Sequence, residues 1–293
     1  MVSLLLAAPS LAHGAQMLQP SVLGSGDGLS ASGGGSQVSF MPQDYCVQSP
    51  VAAGASSGQH GCQPLGSAAF VVGNLTNHGG PVMHSATNYA IFWLPPGYHF
   101  DTPSIDPPYP NASDANYQAL VAQYFRDLSN TAFYSILQQY DDRSGAPGLA
   151  VGFGGSWADA SPYPNSEGSK ANPLQDSDIQ AEVARAISAN DWSPGSGNNG
   201  FFVFTGQNVF SCAGSGCSYK DYCAYHSAFQ ASGGQDVVYA NIPDPGNANA
   251  GSCLATAATG SSAPNGAAFA DSAINLVAHE EFESVTDPIF NGW

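Results

Sequence analysis

Residues 86–94 read ATNYAIFWL, an apolar and aromatic run closed by Pro95 and Pro96. Its length and composition predict a buried strand. The proline-rich stretch PPGYHFDTPSIDPPYP (95–110) follows as a loop. Residues 113–140 then change period. Tyr117, Leu120, Val121, Tyr124, Phe125 and Leu128 recur at three- and four-residue steps, the signature of a helix. Ser113 or Asp114 supplies the N-cap, and Ser129-Asn130 marks a break into two helices. The alternation continues with a strand at 148–155 (GLAVGFGG) and a helix at 176–191, whose first-turn acids suit the helix dipole. Strands at 200–206 (GFFVFTG) and 236–243 (DVVYANIP) precede a last helix at 271–285, stopped by Pro288. This order predicts a layered α/β domain with a mainly parallel central sheet. The last strand is a candidate for antiparallel pairing.

Outside this block the chain changes character. Residues 13–80 are rich in Gly, Ser and Ala and read as a flexible leader or linker, with the ordered domain beginning near Val82. Residues 1–12 carry a short apolar run, VSLLLAA, and a small-x-small site at Ser10-Leu11-Ala12, the pattern of a secretory signal remnant without its basic start. No run reaches the roughly 18 apolar residues of a membrane span.

Charge narrows the partners. Only 9% of the 293 residues are charged, and 22 Asp plus Glu face 5 Lys plus Arg, a formal net charge of -17. Nucleic acid and anionic lipid both need basic patches, so neither is an expected partner. Six cysteines fit an exported, disulfide-bonded chain. Cys46 and Cys62 form an early pair; Cys212, Cys217, Cys223 and Cys253 come later, and sequence cannot choose among the 15 pairings. Their spacing does not match a structural zinc site. Two glycosylation patterns begin at Asn74 and Asn111.

The last helix contains His279, Glu280 and Glu283 in the order H-E-x-x-E. Residues four apart share a helical face, so His279 and Glu283 project together and can ligate one metal ion, as the two histidines of H-E-x-x-H do. Carboxylate oxygen is an accepted zinc ligand. Glu280 is then placed as general base towards a metal-activated water. Ile274, Val277, Ala278, Phe282 and Val285 form an apolar face, which leaves His279 and Glu283 turned sideways or outward and Asp287 on the ligand side. The competing reading is a solvated acidic helix face. A zinc site needs a third protein ligand. His226, in YCAYHSAF beside the cysteine cluster, is the first choice, as ligand or as transition-state hydrogen-bond donor; His84 is the second.

Taken together, GGPVMHSATNYAIFWLP, YFRDLSNTAFYSILQQY, CSYKDYCAYHSAF, VVYANIPDP and INLVAHEEFESVTDP resemble the phosphate-induced, or EXORDIUM-like, protein family. These are secreted proteins known from plant cell walls, with bacterial relatives. The resemblance covers about residues 80–293. It implies secretion and a common fold, with His279, Glu280 and Glu283 on the family's terminal helix and His226 in its Cys-x-x-His segment. Family members continue past the corresponding tryptophan with a glycine- and acid-containing stretch and a further cysteine, so the resemblance also implies that domain 81–293 is truncated at its C-terminus.

The resulting expectation is a zincin-like α/β domain acting as a secreted, zinc-dependent hydrolase of peptidase type. His279, Glu283 and His226 are the metal ligands, Glu280 and His226 the catalytic groups, and an extracellular peptide or cell-wall polymer the substrate. The alternative is a non-enzymatic extracellular protein that binds cell-wall polymer or glycan. Its basis is the aromatic-rich loops WADASPYP (157–164) and PPYP (107–110), whose rings stack on sugars if exposed.

Overall fold

The computed structural model describes residues 38–42, 75–102, 112–246, 253–254 and 263–293. The signal remnant, most of the leader, His13, His60, the Cys46 and Cys62 pair, both acceptor asparagines and the PPYP loop lie outside the described residues.

The strands are β1 (Val38–Pro42), β2 (Thr87–Trp93), β3 (Gly152–Asp159), β4 (Leu174–Gln175), β5 (Asn199–Thr205), β6 (Ser211–Ala213), β7 (Gly216–Cys217), β8 (Tyr222–Gln230) and β9 (Asp236–Pro243). Six of them form the main sheet in the order β1-β8-β9-β5-β2-β3. β3, β2, β5 and β9 run parallel; β8 is antiparallel to both β9 and β1. β4, β6 and β7 make a small second sheet. The mainly parallel sheet is therefore present, but its antiparallel members are not where the sequence suggested. β9, the last strand, lies parallel to β5, and the reversal falls on β8, which periodicity missed. β8 is half tyrosine and alanine at its start and buried on both faces there, so it has no alternation to read. The 148–155 strand is displaced to Gly152–Asp159. β1 and the segment from Leu75 show that parts of the expected leader belong to the domain.

Among the described residues three α-helices cover the sheet: α1 (Asp114–Asp127), α2 (Asp176–Ala189) and α3 (Ala268–Thr286). Ser113 caps α1 by accepting from Asn116 N–H at 3.1 Å. The expected second helix is a short 3-10 turn, Tyr134–Gln139. Strand side chains alternate between faces, and two cores result. Ala90, Phe92, Phe202, Phe204, Val238 and Ala240 face α1 and α3. Ile91, Trp93, Phe201, Val203, Val237 and Tyr239 face α2. Each such large apolar side chain contributes about 1.5–3 kcal/mol when fully buried. Parity then places two polar residues. Asn88 shares the face of Ala90, and His226 shares the face of Ala224, so both lie beneath α3.

Cys212 pairs with Cys217 across the β6–β7 hairpin, and Cys223 pairs with Cys253. These bonds exclude a zinc-finger role for the four cysteines. Cross-linking stabilises more when it closes a longer loop. The Cys223–Cys253 bond, with separation 30, is therefore expected to contribute about 3–4 kcal/mol and the Cys212–Cys217 bond, with separation 5, about 2 kcal/mol. Urea melts of the paired Cys→Ser variants test this; equal losses would contradict the loop-entropy account. No helix of the described residues is long and apolar enough to cross a membrane.

Candidate metal centre

α3 is 19 residues long and packs on the sheet beside α1. Its buried stripe is not purely apolar. Ala273, Leu276 and Val277 lead into Glu280, Glu281 and Ser284, all turned inward, with Glu280 0% and Glu281 1% exposed. A solvated acidic face is therefore excluded. His279 and Glu283 lie one helical turn apart on the edge of the stripe, with side chains 22% and 31% exposed. Phe282 turns the other way, against Phe133 and Tyr134.

β8 brings His226 up to this helix. The His226 side chain is 2% exposed. Its Nδ1 lies 3.2 Å from Glu283 Oε2 and 3.6 Å from Glu280 Oε2. On the far side Nε2 donates to the backbone oxygen of Asp287 at 3.4 Å. A carbonyl partner at Nε2 keeps the proton there and leaves Nδ1 as the side that can ligate. His279 Nε2 is 3.0 Å from the other oxygen of Glu283. Glu283 thus bridges the two histidines. Glu280 differs: its contact with His226 is too long for a hydrogen bond, and neither carboxylate oxygen has a hydrogen-bond partner among the described residues. A buried carboxylate in that position is costly.

Electrostatics follow from this packing. Burial disfavours charge on His226, but Glu280 and Glu283 outweigh it and hold the imidazole up at about 10. His279 is also opposed by burial and raised, to about 9, by Glu283. Burial would lift Glu283, but its bonds to both histidines hold it well below the usual carboxylate range. Burial raises Glu280, and His226 offsets only part of the effect. Without an ion, an imidazolium lies between carboxylates.

The sequence candidates are thus brought together unequally. His226, Glu280 and Glu283 each offer one ligand atom within 4.8 Å of the others. His279 joins through Glu283. Donors held about 2.0–2.2 Å from one tetrahedral ion lie about 3.3–3.6 Å apart, close to the 3.2 and 3.6 Å found at His226. These two spacings and the clustering of all three donors are compatible with a divalent cation. His84 is elsewhere: its ring bonds Asp142 at 3.0 Å and Ala146 O at 3.1 Å, pinning the 142–146 turn.

Sequence reasoning missed Glu281. Its Oε1 accepts from Asn88 Nδ2 at 3.2 Å. Burial pushes its carboxyl up to about 8, against the pull of Asn88 and Tyr134. The only sequence signal was helical phase: Glu281 falls one turn beyond Val277. A folded-state value above the ordinary one means the folded chain holds the proton more tightly. Stability is then lost as pH rises from about 4.5 to about 8. Glu281→Gln is expected to remove that loss and to be more stable than wild type at pH 9, by on the order of a few kcal/mol. Denaturant melts at pH 5 and pH 9 measure it, and an unchanged difference between the two proteins at both pH values would refute a neutral Glu281.

Compared with protein-family models, with curated proteins and with solved structures, the chain matches none.

Proposed function

We propose that the chain is a secreted, zinc-dependent hydrolase of the peptidase type, with the ion held by His226, Glu280 and Glu283. One observation carries the reading: a fully buried carboxylate without a hydrogen-bond partner, Glu280, shares a cluster with His226 and Glu283 in which the three ligand atoms lie within 4.8 Å of one another. Zinc bound there supplies Lewis acidity and a water acidified towards neutrality. The chain's own groups do the rest. The Asp287 carbonyl orients His226. Glu283 keeps its second oxygen on His279. His279, on the partly open edge, holds a proton at Nε2 that it can deliver to a leaving amine. This arrangement supports Glu280 as a ligand, where the motif alone suggests a base.

The peptide class of the substrate rests on the likeness of H-E-x-x-E to the zinc-peptidase motif. The two disulfides among the described residues are compatible with a chain that meets oxidising surroundings, and the family resemblance points the same way. The glycan-binding alternative gains nothing from WADASPYP. Trp157 lies in β3 with Arg185 over its ring, and Tyr163 is buried with its hydroxyl on Trp93 O.

Elemental analysis of the purified protein tests the reading. About one zinc per chain is expected in wild type and none in Glu283→Ala. Metal-free wild type after zinc loading and desalting would overturn it.

A further inference from the structure

Pro288 stops α3, and residues 287–293 fold back towards β8. Phe290 lies over the imidazole of His226, with ring centroids 5.0 Å apart and planes 13° from parallel. Its backbone has φ of +61°. Seven non-glycine residues among those described take positive φ, and five are Asn130, Asn165, Asp191, Ser196 and Asn208, whose short polar side chains ease that conformation. An aromatic residue gains no such help. It stays there only where its surroundings over-determine the backbone.

The surroundings here do so. Gly292 N–H donates to Asp287 Oδ1 at 2.7 Å, and Trp293 N–H to Thr286 O at 3.3 Å. From the other end of the domain, Gly80 N–H donates to Asn291 O at 2.5 Å and His78 N–H to Gly292 O at 2.7 Å. The turn thus held presents both the ring of Phe290 and the carbonyl of Asp287 to one imidazole.

We propose that Phe290 is a positioning residue for His226: its stacked ring sets the imidazole plane, so that Nε2–H meets Asp287 O and Nδ1 faces Glu280 and Glu283. The strained turn exists to deliver that ring. The role belongs to the metal-free chain and is separable from the zinc reading, which it would serve.

Phe290→Gly and Phe290→Tyr test it. Glycine accepts positive φ without steric cost, so the turn survives while the ring is lost; tyrosine keeps the ring. The first readout is the Nε2–H proton resonance of His226 in metal-free, nitrogen-labelled protein, assigned with His226→Gln. A slowly exchanging signal is expected in wild type and Phe290→Tyr and its loss in Phe290→Gly. The second is Zn²⁺ affinity by competition titration. Groups that orient a metal-binding histidine typically change affinity about 10–100-fold, and that drop is expected in Phe290→Gly alone. A protected Nε2–H at its wild-type shift in Phe290→Gly overturns the proposal, whether or not zinc binds. Loss of the signal in Phe290→Gly, with no zinc bound by wild type, supports the positioning role and removes the zinc reading instead.

Discussion

Replacing Glu280 with glutamine is expected to remove most of the bound zinc and to lower peptide hydrolysis at least about a hundredfold, the low end of what a positioned proton-transfer group or ligand contributes. The fold should survive. Glutamine has nearly the same shape as glutamate, and burial already disfavours the charge that the substitution deletes. His226 keeps Glu283 at 3.2 Å. The metal-free variant is therefore expected to be as stable as wild type or more so. Zinc content and rate, measured together, separate the two roles. Loss of both makes Glu280 a ligand, as the convergence with His226 and Glu283 suggests. Zinc retained at about one per chain with the rate lost makes it the general base of the H-E-x-x-E reading, with His279 taking its place at the ion. Zinc and rate both unchanged would end the assignment of Glu280 to the site, as ligand or as base.

His226→Ala should have the largest effect on stability. In the metal-free chain His226 is the positive group between two carboxylates, one fully buried. Removing one partner of a buried ion pair leaves the other uncompensated and typically costs roughly 3–5 kcal/mol. The sign of the pH dependence follows from the raised value. A histidine held up at about 10, against an ordinary 6.5, contributes stability that is complete below about 6.5 and lost as pH rises through about 10. Glu283 is depressed, so its share is present above its ordinary 4.5 and fades as pH falls towards its folded value. The gap between wild type and His226→Ala should thus be widest around pH 5–7 and close above pH 10. Urea midpoints across that range measure it. Coincident midpoints at pH 6 would show that His226 is not the counter-charge of the cluster.

Much of this was open to sequence alone. Apolar runs and helical periods are local properties of side chains. They placed β2, α1, α2, β5, β9 and α3 to within a few residues and made the parallel sheet the expected arrangement. The four-residue spacing of His279 and Glu283 dictates a shared helical face, and they do meet, at 3.0 Å. Tertiary structure decided what local pattern does not encode. β8 is buried on both faces where it begins, so it shows no alternation, and its direction depends on pairing with β9. The side of α3 that faces the sheet was misread as apolar only, because hydrophobicity scales count Glu280 and Glu281 as surface residues. Their burial is affordable only where distant groups meet them: Asn88 from β2, 193 residues away, for Glu281, and His226 from β8 for Glu280. Those partners are set by strand order and side-chain parity across the sheet. Helix spacing fixes which residues of α3 project together; only the folded sheet determines what they project onto.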